Sequence, residues 1–183
     1  VAKLEEGIEL RKHISYSKKI AVFDGYLEPN HSLWKEYNLI PICNTVDQAI
    51  EASKNNIIFM LHIDTGMNRL GFKEEEIIDV YKKVESKTKK IVLMSHFSSA
   101  AGTQTSKVNS RRQIETFNRI ENKLKRLGKK PISSLCNSGG LLNYKSSHKD
   151  IVRPGIALYG IDQKDIGKKL DLENVLTFKT KLI

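Results

Sequence analysis

The sequence predicts an α/β fold on a parallel sheet, a (β/α)8 TIM-type barrel that is incomplete at its N-terminal end. Three observations carry this reading. Short β-rich apolar runs alternate with amphipathic stretches of helical period. Polar, glycine-containing segments follow the apolar runs, as they do at the functional rim of a barrel. The 183 residues fall about two units short of the ~250 that eight βα units need.

Taken in order, the strands are expected at 20–24, 39–43, 57–63, 90–95, 132–136 and 151–159, the last interrupted by Pro154-Gly155. The first helix, 4–13, places Leu4, Ile8 and Leu10 at near-helical spacing. Thr45 and Asp47 cap a second that runs through Ser53. A third, 74–84, carries Ile77, Ile78, Val80, Tyr81 and Val84. The longest spans about 106–127, with Ile114, Phe117, Ile120, Leu124 and Leu127 as its buried stripe and Gly128 as its stop. Val1-Ala2, without an initiating methionine, reads as the end of a strand feeding the first helix. After Gly160 a polar connection leads to an alternating run at 175–183, read as a strand that opens another element.

Composition narrows the function classes. Lys+Arg total 31 against 21 Asp+Glu, a formal charge of +10, yet only seven of those cations are arginine and the lysines are spread in ones and twos. Dispersed lysine is a solvated surface rather than a nucleic-acid footprint. The densest stretch, Asn122-Lys-Leu-Lys-Arg-Leu-Gly-Lys-Lys130, sits where a helix ends and cations meet the negative end of its dipole. No window approaches the ~18 apolar residues of a membrane span, and the N-terminus lacks the zones of a secretion signal. A cytoplasmic protein is expected. Cys43 and Cys136 lie inside apolar runs, as core thiols rather than as a disulfide or a metal site.

In a barrel, the residues directly after each strand share one rim. Here they are Asp64-Thr-Gly-Met-Asn-Arg-Leu-Gly-Phe72, His96-Phe-Ser-Ser, Asn137-Ser138-Gly-Gly140 and Val152-Arg153-Pro-Gly155-Ile156. Ser138 with the glycines after it, and the backbone of Gly155 and Ile156, make either an anion nest or an ordinary capped turn. Arg69 and Arg153 follow strand ends beside glycine, where a rigid guanidinium fork can approach a planar ligand or form a surface ion pair. His96 is either a stacking or hydrogen-bonding imidazole or a structural residue.

Together these segments resemble the alanine racemase family, the pyridoxal 5′-phosphate enzymes that interconvert L- and D-alanine. The carriers are Leu4-Glu-Glu-Gly-Ile-Glu-Leu-Arg11, the Asp64–Phe72 run, Ser95-His-Phe97 with Gln113 and Phe117, Asn137-Ser138, and Val152-Arg-Pro-Gly-Ile-Ala-Leu-Tyr-Gly160. The resemblance implies a cofactor-binding barrel portion over 1–160, and over 161–183 a connection with the first strand of a C-terminal β domain. It also implies peptidoglycan-precursor supply, alanine as substrate, a homodimer when complete, and neither nucleic acid nor membrane as partner.

Carried over by position, the resemblance implies that Arg153 donates to the pyridine nitrogen with His96 beside it, and that Arg69 lies near the phenolic oxygen and the substrate carboxylate. Ser138 with the backbone of Gly155 and Ile156 holds the phosphate, and Asn137 supports that turn. A guanidinium keeps its proton at physiological pH, so a ring nitrogen facing it stays unprotonated and the electron sink is weakened. That suits reprotonation on either face of the reacting carbon.

Racemisation needs an acid/base on each face. In the family these are a Schiff-base lysine, in a Lys-Ala-x-Ala-Tyr-Gly type motif, and a tyrosine from the partner subunit's C-terminal domain. Neither is expected within this sequence, so no catalytic residue is assigned to it, and no metal. Lys3 follows an apparent strand end but belongs to a different strand from the family's lysine. A second departure is His62, where many members carry a lysine that becomes carbamylated and holds the arginine equivalent to Arg69. Imidazole forms no stable carbamate, which leaves neutral His62, a bound anion or Asp64 to steer Arg69. The competing readings are a non-catalytic racemase remnant that keeps an anion site, and a decarboxylase on the same cofactor fold.

Overall fold

The computed structural model describes residues 1–27, 31–85, 91–100, 103–162 and 171–180. Among these, five strands form one parallel sheet in sequential order: β1 Ile20–Val22, β2 Leu39–Cys43, β3 Met60–His62, β4 Val92–Met94 and β5 Ile132–Ser134. Sequential parallel order requires a crossover between every pair of strands, and helices supply most of them. They are α1 Leu4–His13, α2 His31–Glu36, α3 Val46–Lys54, α4 Glu74–Glu85, α5 Gln104–Arg126 and α6 Ser138–Asn143.

Alternation along the strands divides the core. Val22, Cys43, Phe59, Leu61, Ile63 and Leu93 pack against the helices, whereas Ile40, Ile42, Met60, Val92 and Met94 form a separate cluster on the opposite face. That second face is the barrel interior. The registers Ile42↔Met60, Met60↔Val92 and Val92↔Ile132 set these side chains in one layer. Asn44, His62 and Ser134 continue the same parity upward, so the interior turns polar at the carboxyl ends of the strands.

The helices follow their sequence signals with local exceptions. Thr45 caps α3 through its hydroxyl, which accepts from Gln48 N at 3.4 Å. The stripe of α5 buries Ile114, Phe117, Ile120 and Leu124, but Leu127 lies past the helix end and is half exposed. On α1 the buried positions are Gly7 and Arg11, and Leu10 faces out. Arg11 donates to four carbonyl oxygens, of Ser15, Lys18, Tyr37 and Asn38, at 2.7 to 3.1 Å. α2 was not expected: it is six residues long with one buried residue, Trp34, and shows no helical period to read.

The expected sixth strand is corrected. Ile151 N donates to Ser133 O at 3.1 Å and Arg153 N to Cys136 O at 3.0 Å, so the chain starts alongside β5 as a strand would. Pro154 then offers no N–H to extend the ladder, and Ile156–Tyr159 closes into a 3-10 turn. Residues 171–180 also form no strand, and Leu176 and Phe178 are largely solvent-exposed. Val175 N donates to Tyr159 O at 3.4 Å, a single bond to the 3-10 turn rather than a ladder along a strand edge. Val1 and Ala2 accept from Phe23 N and Asp24 N at 3.1 and 2.9 Å, as a chain running parallel to β1 does. Position 90, where the fourth strand was expected to start, and 181–183 lie outside the described residues.

Candidate functional site

The loop after β3 is shaped by its own sequence. The Asp64 carboxylate oxygen Oδ1 accepts the N–H groups of Gly66, Met67 and Asn68 at 2.9, 2.9 and 3.0 Å. The loop returns through Phe72 N to His62 O and Asp64 N to Phe72 O. Gly71 closes it at φ +109, where a Cβ would lie 2.8 Å from His62 O. Arg69 rides on this loop, exposed, and its guanidinium bonds to no described residue.

Gln113 of α5 ties that loop to the next one. Its Nε2 donates to Thr65 Oγ1 at 3.1 Å and His96 O at 3.0 Å, while its Oε1 accepts from Ser98 N and Ser98 Oγ at 3.1 Å. Thr65 and Ser95 share a hydroxyl pair at 2.8 Å. The strand ends of β3 and β4 are therefore held together by buried polar groups that satisfy one another.

Arg153 crosses the top of β4 and β5. Its guanidinium donates to Ser134 Oγ and to the carbonyl oxygens of Ser95 and Leu135. All three acceptors are uncharged. Burial pushes its pKa down to about 10, which still leaves it a cation at neutral pH. His96 stands next to Ser95 and meets Phe23 edge-on, ring centres 6.2 Å apart. Burial, then Arg153, then Arg69 push its pKa down to about 4. His62, nearly fully buried, is likewise pushed down to about 4, first by burial and then by Arg153, His96 and Arg69, against a smaller opposing pull from Asp64. Two cations and two neutral imidazoles thus share one neighbourhood.

The second half of the rim is the turn after β5. Asn137 caps α6, its Oδ1 accepting from Gly140 N at 3.0 Å. Ser138 Oγ accepts the N–H of Gly155 at 2.9 Å and of Ala157 at 3.2 Å. Gly155 N was expected to face a ligand directly, and here it is committed to the serine. The amides of Ser138, Gly139 and Ile156 donate to no described residue. Gly155 and Arg153 are two residues apart, so the two halves join through one backbone segment.

The structure thus brings Arg69, His96 and Arg153 into one electrostatic cluster and links Ser138 to Gly155 by a hydrogen bond. Sequence reasoning missed Asn44, Thr65, Ser95 and Ser134. Asn44 and Ser134 share strand parity with inward-facing apolar residues, a signal available in principle. Ser95 and Thr65 lie inside segments that carry the family resemblance but received no role of their own, since serine and threonine at strand ends are common. No His/Cys/Asp/Glu group suited to a metal ion occurs among the described residues. Cys43 and Cys136 are free and buried. No helix among the described residues is long and apolar enough to cross a membrane.

Comparison with known proteins is consistent along the chain. The family described as "Alanine racemase, N-terminal domain" matches residues 1–163. The alanine racemase of Halothermothrix orenii is 35% identical, over 100% of this chain and 50% of its own length. The solved alanine racemase of Corynebacterium glutamicum superposes with a TM-score of 0.79 at 25% identity, covering 95% of this chain and 51% of that one. The alanine racemase of Bartonella henselae, solved with covalently bound pyridoxal phosphate, shares the fold at a TM-score of 0.77 and 24% identity, over 92% of this chain and 48% of that one. This chain spans about half the length of the curated relatives it matches. The parallel sheet in barrel order, its polar upper rim and these matches agree, and the chain belongs to the alanine racemase N-terminal-domain family.

Proposed function

We propose that this chain is the cofactor-binding barrel portion of a pyridoxal 5′-phosphate-dependent alanine racemase, an isomerase of the cytoplasm that works as a homodimer and supplies D-alanine for peptidoglycan precursors. The observation that carries the reading is Arg153, a partly buried cation whose guanidinium donates only to neutral acceptors, next to the Ser138–Gly155 turn.

The residues present fit that group. Four buried polar atoms among the described residues lack a hydrogen-bond partner, and two of them, Nε of Arg153 and Nδ1 of His96, belong to this rim. A buried donor without an acceptor is costly, and an aromatic ring nitrogen is the acceptor an Arg153 N–H needs. Ser138, with the amides of Gly139 and Ile156, would hold the phosphate, and Asn137 would keep that turn in place. Arg69 would reach the phenolic oxygen and the carboxylate of alanine. When bound, the cofactor supplies an electron sink that lets the α-proton leave. Arg153 limits that sink, because a guanidinium surrenders no proton to the ring nitrogen. His62 and His96 stay neutral and so do not compete with either arginine for anionic groups. The interior apolar layer beneath them excludes water from the floor of the site.

A chimaera tests the reading. Residues 1–163 replace the matching segment of the Halothermothrix orenii racemase, and D-alanine formation is followed. Racemisation is expected, with a loss of more than tenfold on Arg153→Lys, since an ammonium cannot reproduce the guanidinium fork. A folded chimaera that binds pyridoxal phosphate yet forms no D-alanine contradicts it. The remnant reading draws on His62 where many members carry lysine, and the Asp64-Thr-Gly-Met67 and Arg153-Pro-Gly-Ile156 segments argue against the decarboxylase reading.

A further inference from the structure

Each helix that alternates with a parallel strand returns antiparallel to it, so the last turns of α1 to α5 lie at the amino ends of the strands, opposite the rim. Contacts tie these ends into one surface. Arg11 donates to Lys18 O and Asn38 O, which joins the end of α1 to the segments entering β1 and β2. Lys35 and Asn38 at the end of α2, and Asn56 and Ile58 past α3, line one cavity of about 190 Å³. Ser53 Oγ on α3 donates to Val84 O on α4 at 3.3 Å. Lys129, just past α5, pairs with Glu85 of α4 at 2.7 Å.

The charge on this face is one-sided. Every one of the five helices has a basic residue in its last turn, and the segments leading to β1 and β5 add Lys18, Lys19, Lys129 and Lys130. The helix dipole favours a cation at each helix end, but it does not account for lysines in the loops beyond. Lys18, Lys19, Lys35, Lys82, Lys83 and Lys130 are exposed and pair with no carboxylate among the described residues. Of the carboxylates described at these ends, Glu9, Glu51 and Glu85 are already paired with lysine, and Glu36 is left to oppose the six. Lysines that the sequence scatters in ones and twos are thus gathered by the topology. Tyr16, Ile58 and Leu127, each in a segment leading into a strand, lie about half exposed on the same face.

Nucleic acid is gripped by arginine forks and stacking aromatics along a groove. The six unpaired cations here are all lysine and are spread around the end of the barrel, with apolar groups among them, which suits a two-dimensional array of negative charge. We propose that the face formed by the amino ends of the strands is a peripheral docking surface for an anionic lipid bilayer, its lysines over the phosphate headgroups and Tyr16, Ile58 and Leu127 at the interface. The rim with Arg69, Ser138 and Arg153 then faces the aqueous side. Each lysine near such a surface contributes about a factor of five in affinity, so several together hold the protein without any helix entering the bilayer. The proposal departs from the membrane-free partner set that the family resemblance implies, because it rests on this chain's own lysines. It stands independently of the cofactor reading.

Sedimentation of the full chain with vesicles of phosphatidylcholine and phosphatidylglycerol in equal parts is the test. Saturable binding is expected at about 0.1 M salt and its loss at about 1 M, where the screening length falls from about 10 to about 3 Å. Vesicles of phosphatidylcholine alone should not bind. Lys18→Glu with Lys19→Glu is expected to weaken binding by at least about tenfold, two lysines at the factor above. Lys82→Gln with Lys83→Gln should do the same, each pair being checked for the parent's circular dichroism. Lys3→Glu with Lys73→Glu reverses charge at helix entries on the opposite end, and should leave binding within about threefold because salt screens that distance. A folded parent indifferent to phosphatidylglycerol, or equal weakening by variants of the two ends, overturns the proposal. So does tighter binding to duplex DNA or to polyglutamate than to the vesicles.

Discussion

Ser138 Oγ accepts the backbone N–H of Gly155 at 2.9 Å and of Ala157 at 3.2 Å, so a single hydroxyl on α6 joins the turn after β5 to the segment that carries Arg153. Ser138→Ala leaves both amides without a protein partner. A loss of about 1–3 kcal/mol in folding free energy is expected, read from urea unfolding. Weaker binding of pyridoxal phosphate should accompany it. A variant as stable as the parent, with unchanged binding, would show the bridge to be incidental.

Gln113 is the pin between the β3 and β4 rims. Gln113→Leu keeps most of the volume but strips acceptors and donors from Thr65, His96 O and Ser98 together. The expected cost is about 2–4 kcal/mol, because several buried polar groups lose partners at once. Thermal unfolding checks it, and a shift within error of zero is the contrary result.

These two residues show what was legible in the sequence and what was not. Strand and helix alternation read well because both core faces are apolar with clear periods, as in β2 and α4. Arg69, His96, Ser138 and Arg153 stood out as candidates because unusual residue types follow strands there. The sixth strand did not read well, because a run of apolar residues says nothing about ladder hydrogen bonds, and Pro154 removes the one needed. α2 was invisible because one buried Trp34 makes no pattern. The pairing of Asn44 Oδ1 with His62 Nδ1, 2.7 Å apart, depends on two strands adopting a register, which no local signal encodes.

Acid should weaken the fold through its neutral imidazoles. His62 titrates near 6.5 when unfolded and at about 4 when folded. Between those values the unfolded chain binds more protons, so stability is full above pH 6.5 and falls as the pH drops toward 4. For His62 the loss reaches at most about 3 kcal/mol at the acid end, and His96 acts in the same direction. Urea midpoints across pH 4 to 7 should show this slope, and His62→Gln should flatten it. An unchanged slope in that variant would place the acid sensitivity elsewhere.

Lys3 is an exposed residue at the entry to α1, and the family resemblance puts it after a different strand from the Schiff-base lysine. Incubating the chain with pyridoxal phosphate and borohydride should therefore give no stoichiometric phosphopyridoxyl-lysine in intact-mass spectra. One such group mapped to Lys3 by peptide analysis would contradict the assignment of this lysine to helix entry alone.

Calorimetric titration of the chain with pyridoxal 5′-phosphate puts the shared rim to its most direct test. One saturable site is expected, weakened at least about tenfold by Arg153→Lys and by Ser138→Ala separately, as the loss of charge-assisted or paired hydrogen bonds requires. Absence of saturable binding to the folded parent, or binding that both variants leave untouched, would show that these residues do not converge on one cofactor.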